Sequence, residues 1–514
     1  MLLVRLDGEG TLQRQAYRAL RGAILEGRLR PGERLPSTRE CARELGVSRN
    51  TVLAAYDQLV AEGYAVARPA SGTFVAESLP PPTARRSVEH AASMPSARSA
   101  GRSTAGGRGR TTSVPANNEL SSLPLSQIGR RIFENVAPRH ATWSLPRDPV
   151  EIDFRYGEPA YADLPLATWS RLIGRRARRL SVRRLSYQSP GGAPELREAL
   201  AGYLSRARGV VCAPEQILVV HGSQQAIDLT TRLLVDAGDR VVLEEPCYTG
   251  FSFCLAALGA EAVRVPTDEH GLRVEELERI DDARLVCVTP SHQYPAGGVL
   301  SLPRRLALLG WAHARSAYVL EDDYDGEFRF EGRPLECLQS LDAHGRVLYS
   351  GTASKILFPS LRIGWLVVPQ ALVATFRSAL ALADTGTASL EQLALADFIA
   401  EGHLERHVRR IRKRHASRRR ALLDAVEREL AGRARVLGVS AGVHVLLRLD
   451  QLRQRDVSRL RAACRARGVG VYPAAPFYAR PPAHAELLLG YGGLDERAIA
   501  EGIKRLREAI DSIA

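Results

Sequence analysis

The sequence predicts an α/β protein of two folded units, and three observations predict it. Residues 12–76 read as capped helices followed by an alternating hairpin. Residues 77–120 turn to Pro, Ser, Ala, Gly and Arg, and from 216 to 351 short apolar runs alternate with helical segments. At 514 residues the chain is also longer than one ordinary hydrophobic core supports.

In the first unit, "LQRQAYRALRGAILEG" (12–27) places Ala16, Leu20, Ile24 and Leu25 at helical spacing. After the turn "RPGERLPS", Ser37 is placed to cap "STRECARELG", with Glu40 completing a capping box and Gly46 ending the helix. Ser48 then caps "SRNTVLAAYDQLVAEG", whose Val52, Tyr56, Leu59 and Val60 face a core, and Gly63 stops it. "YAVARPASGTFVA" alternates about a Pro-Ala-Ser-Gly turn, the mark of a short hairpin. Two helices joined by a tight turn and followed by a hairpin make a winged helix-turn-helix. The helix opened by Ser48 is its recognition helix, with Ser48, Arg49, Asn50 and Thr51 able to meet base edges or phosphates. Arg39 is a candidate phosphate contact, and Arg68 and Gly72 on the wing are placed to approach the backbone or minor groove. The net charge of +14 agrees with a nucleic-acid partner, although an arginine-rich surface alone produces the same excess.

The stretch 77–120 has no hydrophobic periodicity and reads as a flexible basic linker between a first domain (1–76) and a second (121–514). In the second, "QILVV" (216–220), "RVVLEE" (240–245), "EAVRVP" (261–266), "RLVCVTP" (284–290), "AYVLEDD" (317–323) and "RVLYSG" (346–351) read as strands. Helical runs such as "SQQAIDLTTRLLV" and "LPRRLALLGWAHAR" separate several of them. That rhythm implies a mostly parallel sheet with flanking helices and ligands at the carboxyl ends of the strands. A long Arg-rich helix (391–430), "AGVHVLLRLD", a further helix and "GVGVYPAAPF" then suggest a smaller α+β part.

The 7 cysteines are scattered without a C-x-x-C pair, which speaks against a zinc module or disulfide framework and for a reducing compartment. No apolar run of about 18 residues occurs, so no membrane association and a cytoplasmic location are expected. No metal site is read.

Only three lysines occur in the chain, and two of them, Lys413 and Lys504, sit beside arginines in charged segments. Lys355 instead lies in "GTASKILFPSLRIGW", between hydroxyl residues and an apolar run. A lysine can do what arginine cannot, losing its proton on desolvation and forming an imine with an aldehyde. The surroundings match an aldehyde cofactor of the pyridoxal phosphate kind. Glu321, Asp322 and Asp323 at a strand end offer a carboxylate for a pyridine nitrogen, and Tyr248 offers a ring face. Ser223 and Gln224 open a helix where a phosphate is held well, while Thr352, Ser354 and Arg362 flank the lysine.

Two resemblances add to this reading. "GERLPSTRECARELGVSRNTVLAAYDQLVAEGYAVARPASGTFV" closely resembles the GntR-family winged helix, which implies operator binding as a dimer. From "FRYGEPAYADLP" (154–165) to "GWLVVP" (364–369), the chain resembles fold-type I pyridoxal-phosphate enzymes of the aminotransferase class. Matching segments are "GSQQAIDL", "VTPSHQYPAGGVLSLPRRLALL", "LEDDYDGEFRF" and "GTASKILFPSLRIGW". As a whole it is similar to MocR-type regulators, which join these two parts. The resemblance implies an aldimine on Lys355, Asp322 at the pyridine nitrogen with Asp323 as the fallback, Tyr324 on the phenolic oxygen and Tyr248 stacked on the ring. Ser223, Gln224, Thr352, Ser354 and Arg362 would hold the phosphate, Arg362 being equally suited to an effector.

Two departures stand out. The Asn-Pro-Thr-Gly turn of the aminotransferases reads "SHQYPAG" here, so His292 or Gln293 is expected in place of the asparagine. Leu488 in "ELLLGYGGL" stands where the arginine for a substrate α-carboxylate is expected. The resemblance therefore implies a transcriptional regulator, a homodimer with head-to-tail packing as the family's arrangement. Its effector is the cofactor itself, an amino acid or an amine, and vitamin B6 or amino-compound metabolism is the process under control. The alternatives are a working aminotransferase carrying a DNA-binding appendage, with half-transamination left open, and a DNA-binding protein whose second domain only dimerises.

Overall fold

A computed structural model describes residues 5–8, 10–68, 71–77, 124–137, 150–330 and 336–513. The chain divides into two compact units, Met1–Arg110 and Thr111–Ala514. The expected linker, apart from Glu77, lies outside the described residues, as do Pro69 and Ala70 of the wing turn.

Among the described residues of the first unit three helices form, α1 (Leu12–Leu25), α2 (Thr38–Leu45) and α3 (Arg49–Ala61), followed by an antiparallel hairpin of β1 (Ala65–Arg68) and β2 (Gly72–Val75). The helix ends follow the sequence signals. Ser37 Oγ accepts from Glu40 N (3.3 Å) while Glu40 returns a carboxylate to Ser37 N (2.9 Å), and Gly46 closes α2 in the left-handed conformation. Ser48 Oγ accepts from Thr51 N at 3.1 Å and starts α3. Ala16, Leu20, Ile24, Val52, Tyr56 and Leu59 are buried together, and the Tyr56 hydroxyl donates to Pro36 O (2.8 Å). Leu25 departs from expectation. It is 46% exposed, because Ala23 and Ile24 take the inward positions of the last turn. Removing the cap, Ser37→Ala, is expected to lower the unfolding free energy of this unit by about 1 kcal/mol, measured by denaturant unfolding.

The second unit is built on an eight-stranded sheet. Its strands are β3 (Ile217–Val220), β4 (Arg240–Glu245), β5 (Glu261–Asp268), β6 (Gly271–Leu272), β7 (Ala283–Val288), β8 (Tyr318–Asp323), β9 (Val347–Thr352) and β10 (Gly364–Val367). Their spatial order is β3-β10-β9-β8-β7-β4-β5-β6; β10 runs antiparallel to both neighbours, β6 antiparallel to β5, and the remaining pairs are parallel. Helices α4 (Leu166–Ala177), α5 (Pro194–Arg208), α6 (Ser223–Leu234), α7 (Thr249–Leu258), α8 (Leu302–Ala314) and α9 (Val373–Asp384) belong to this layer. Buried clusters lie on both sheet faces, as the near-continuous apolar strands require.

The Arg-rich helix is two helices, α10 (Ser389–Ala400) and α11 (His403–Leu430), separated at Gly402, whose φ is +69°. The chain ends in the expected smaller part, an antiparallel sheet of β11 (Ala434–Leu437), β12 (His444–Arg453), β13 (Tyr472–Pro473) and β14 (His484–Gly490) in the order β11-β12-β14-β13. Helices α12 (Val457–Ala466) and α13 (Glu496–Asp511) accompany it, and the sheet shares a core with the second half of α11. Among the described residues, no helix is long and apolar enough to cross a membrane.

Candidate functional site

Parallel strands gather their carboxyl ends on one edge of the sheet, and the loops leaving them carry the polar residues. Ser223 and Gln224 follow β3, Tyr248 follows β4, Thr289 follows β7, Asp322 ends β8 and Thr352 ends β9. These residues line one cavity of ≈ 420 Å³, together with Tyr324, Ser354, Lys355 and Arg362. All nine residues expected around the cofactor are therefore brought to one place.

Lys355 Nζ donates to the carbonyl of Gly157 (2.8 Å), and burial lowers its pKa against the opposing carboxylates of Asp325 and Asp322. The acidic run is sorted by strand alternation. Glu321 turns away and accepts from the backbone N–H groups of Leu338 (2.9 Å) and Gln339 (3.0 Å). Asp323 shares that side, paired with Arg208 (2.6 Å) and the Tyr349 hydroxyl (2.6 Å), so the fallback partner does not reach the cavity. Asp322 alone of the three faces it, accepting from the Ser350 hydroxyl at 3.0 Å. Burial, then the neighbouring charges of Asp323 and Asp325, pushes the Asp322 carboxyl up to about 6.

At the other end of the cavity Gly222 precedes α6 with φ +90°, leaving the first-turn N–H groups, which have no partner within a helix, at the cavity wall. Arg362, itself left-handed at φ +53°, donates to His221 O and lies close to Gly222. Thr352 Oγ1 accepts from Ser354 N (3.1 Å), fixing the turn before the lysine. Gln224 Oε1 is buried with no hydrogen-bond partner among the described residues. Gly250 is required beside it, because a Cβ there would lie 2.3 Å from both Gln224 Oε1 and the Tyr248 ring. An anion cradle, an aromatic face, a buried carboxylate and an amine with lowered pKa thus share one cavity. The donor set fits pyridoxal phosphate.

Residues outside the sequence expectation complete the wall. Neither His292 nor Gln293 lines the cavity; Tyr294 does, its ring 5.8 Å from that of Tyr248 and 5.6 Å from that of Tyr324. The signal was present, since Tyr294 is the residue that directly precedes the proline of the altered turn. Gln293 is instead buried in structural bonds to Pro246 O (2.7 Å) and Tyr294 O (2.8 Å). His292 supports Tyr324 from behind, its Nδ1 lying 2.9 Å from the Tyr324 hydroxyl and 2.9 Å from Asp325 Oδ2. With His444 this pair brings three potential metal ligands within 4.8 Å, the one such group among the described residues. The hydrogen-bonded role fits better, because Nδ1 is already engaged and the ring is walled in. A Cβ on Gly442 would lie 2.0 Å from its Cε1.

Arg155, Tyr156 and Glu158 also line the cavity, Arg155 pairing with Glu158 at 3.3 Å. Leu488 is wholly buried in an apolar and aromatic cluster with Tyr294, Tyr324, Leu446 and Phe477.

On the first unit, Arg39, Ser48, Arg49, Asn50, Arg68 and Gly72 are exposed and Thr51 is half-buried. Ser48 and Thr51 serve the helix cap, their hydroxyls 2.8 Å apart, while Arg49 Nε donates to Thr38 Oγ1 (3.3 Å). Arg68 lies over the Phe74 ring and pairs with Glu77 (3.2 Å). At Gly72, φ is +109° and a Cβ would meet the Arg34 guanidinium at 3.0 Å.

Comparison with known proteins agrees with this division. Residues 12–75 match the family of bacterial regulatory proteins, gntR family, and residues 151–506 match aminotransferase class I and II. The "Probable rhizopine catabolism regulatory protein MocR" of Rhizobium meliloti is 39% identical over 99% of this chain and 96% of its own length. The "HTH-type pyridoxine biosynthesis transcriptional regulator PdxR" of Corynebacterium glutamicum is 29% identical over 96% of this chain and 95% of its own. Among solved structures, LysN, an alpha-aminoadipate aminotransferase from Thermus thermophilus complexed with N-(5'-phosphopyridoxyl)-L-leucine, superposes with a TM-score of 0.68 at 28% identity, over 76% of this chain and 97% of that one.

Proposed function

Because the chain belongs to the MocR-type subfamily of GntR regulators, we propose that ligand chemistry at Lys355 in its second unit governs how its first unit holds operator DNA. The protein is a pyridoxal-phosphate-dependent transcriptional regulator with an aminotransferase-like domain. The observation that carries the proposal is the cavity, in which the amine of Lys355, the Asp322 carboxylate and the α6 N-terminus converge. Bound there, pyridoxal phosphate supplies an aldehyde that an amine can occupy reversibly. The chain's own residues would do the rest: Tyr248 would stack on the ring, Tyr324 would bond its phenolic oxygen, and Ser223, Gln224, Thr352, Ser354 and Arg362 would hold the phosphate. An allosteric effect needs a ligand that favours one of two arrangements, and exchange at Lys355 provides that difference.

Leu488 supports the choice of effector. A buried apolar side chain at that strand position offers no bidentate partner to an α-carboxylate, which favours the cofactor itself or an amine over an ordinary amino acid. A relative named for pyridoxine biosynthesis adds weight to vitamin B6 supply as the controlled process. The regulator acts as a homodimer in the cytoplasm. Val182, Leu185 and Tyr187 are 84%, 70% and 90% exposed within six residues, an apolar surface that a second copy would cover. Seven free cysteines accord with a reducing compartment.

The test is to select DNA from a random pool with the full chain and measure its affinity for cofactor-freed and reloaded protein. A change on reloading is expected; equal affinities in both states, with the visible cofactor band present, sink the proposal. The pH dependence of reloading has a definite sign. The carboxylate form of Asp322 accepts the pyridine N–H, so uptake weakens as pH falls through about 6. Asp322→Asn removes that part of the pH dependence, as followed by cofactor absorbance.

A further inference from the structure

Between Arg406 and Arg420, in "RHVRRIRKRHASRRR", α11 carries nine lysines and arginines and no acidic residue. Several have structural employment. Arg414 and Arg418 share the buried carboxylate of Asp163, Arg410 donates to the Asp163 carbonyl (2.6 Å), and Arg418 also donates to Gly492 O (2.7 Å). Arg409, Arg412 and Lys413 have none; all three are exposed and make no ion pair among the described residues. With Arg329 and Arg410 they line a second cavity of ≈ 580 Å³, and no acidic side chain among the described residues lines it.

Arg409 stands three and four residues before Arg412 and Lys413, so like charges face one another across a helical turn. Such pairs destabilise an isolated helix. A cluster of this kind is suited to phosphate groups, which take charge-assisted hydrogen bonds from guanidinium and ammonium donors. We propose that this face of α11 is a second DNA-contact surface, binding backbone phosphates without reading bases. DNA is the source of those phosphates, since a protein with a winged helix already works against that polyanion. The inference goes beyond operator recognition by the first unit and does not depend on the chemistry at Lys355.

The experiment uses the full, cofactor-loaded chain and a random-sequence DNA duplex long enough to offer contacts beyond one winged-helix site. Affinity is measured over a series of salt concentrations for the wild type, Lys413→Gln, and the triple variant Arg409→Gln/Arg412→Gln/Lys413→Gln. Each phosphate contact contributes roughly 0.9 to the slope of log affinity against log salt. The slope is therefore expected to fall by about 1 in the single variant and by about 2 to 3 in the triple. Arg49→Ala serves as the second background, and the same decrement there shows a surface separate from the recognition helix. An unchanged slope in the triple variant, with its visible band intact, overturns the proposal. Inorganic triphosphate forms a further arm: if the triple variant loses triphosphate binding while its DNA slope is unchanged, the cluster serves free phosphate compounds and DNA contact is overturned. Failure of Arg49→Ala to weaken operator binding would count against the winged-helix reading and leave this slope comparison decisive by itself.

Discussion

Lys355→Ala is expected to abolish the visible band of the cofactor-loaded protein and, with it, any effect of pyridoxal phosphate on affinity for operator DNA. The ratio of affinities with and without cofactor should fall to one. The reason is chemical. Lys355 lines the cavity at the strand ends, burial lowers its pKa, and its Nζ sits against the Gly157 carbonyl with no carboxylate among the described residues in hydrogen-bonding contact. An arginine keeps its proton and cannot replace it in imine exchange, so Lys355→Arg should behave like alanine in the spectrum while preserving positive charge. Phosphate contacts at the α6 N-terminus remain in both variants, so weak, non-covalent retention of cofactor is the expected residue. A variant that keeps both the band and the DNA response would falsify the assignment of Lys355.

Arg49→Ala should weaken operator binding roughly tenfold or more while leaving the visible band unchanged. Arg49 is exposed at the first position of α3, and among the described residues its guanidinium is tied only through a 3.3 Å bond to Thr38 Oγ1. That bond holds the side chain at the helix start without consuming its charge. Asn50 beside it is exposed as well, whereas Ser48 and Thr51 are committed to the cap. The effect should therefore rank Arg49 and Asn50 above Thr51 when binding is measured at one fixed salt concentration. Ser48→Ala should act through stability instead, and denaturant unfolding will separate the two.

The fold was legible wherever local chemistry decides. Ser37 with Glu40, Ser48, Gly46 and Gly63 set the helix limits of the first unit through hydrogen bonds that span three or four residues. The six apolar runs of the second unit became strands because buried parallel strands must be apolar on both faces. The break at Gly402 was missed, since Arg-rich text continues across it and a single left-handed residue leaves no compositional trace. Leu25 was misplaced because one residue of rotation about a helix separates inside from outside.

The site divides the same way. Composition alone singled out Lys355, and the strand-end acids, hydroxyls and Tyr248 around it carried enough chemistry to name the cofactor. The resemblance ranks Asp322 before Asp323, and the tertiary structure supplies the physical reason. Both end one strand, and which face meets the cavity depends on Arg208 and Tyr349, which lie far away in sequence. Likewise Tyr294, and neither His292 nor Gln293, lines the cavity at the altered turn, because the wall is assembled with Tyr248, Tyr324 and His444 on three other segments. What a residue can do is a property of its side chain and close neighbours, and the sequence determines it. Which of several capable residues faces the ligand is set by contacts distant along the chain, and packing alone decides that.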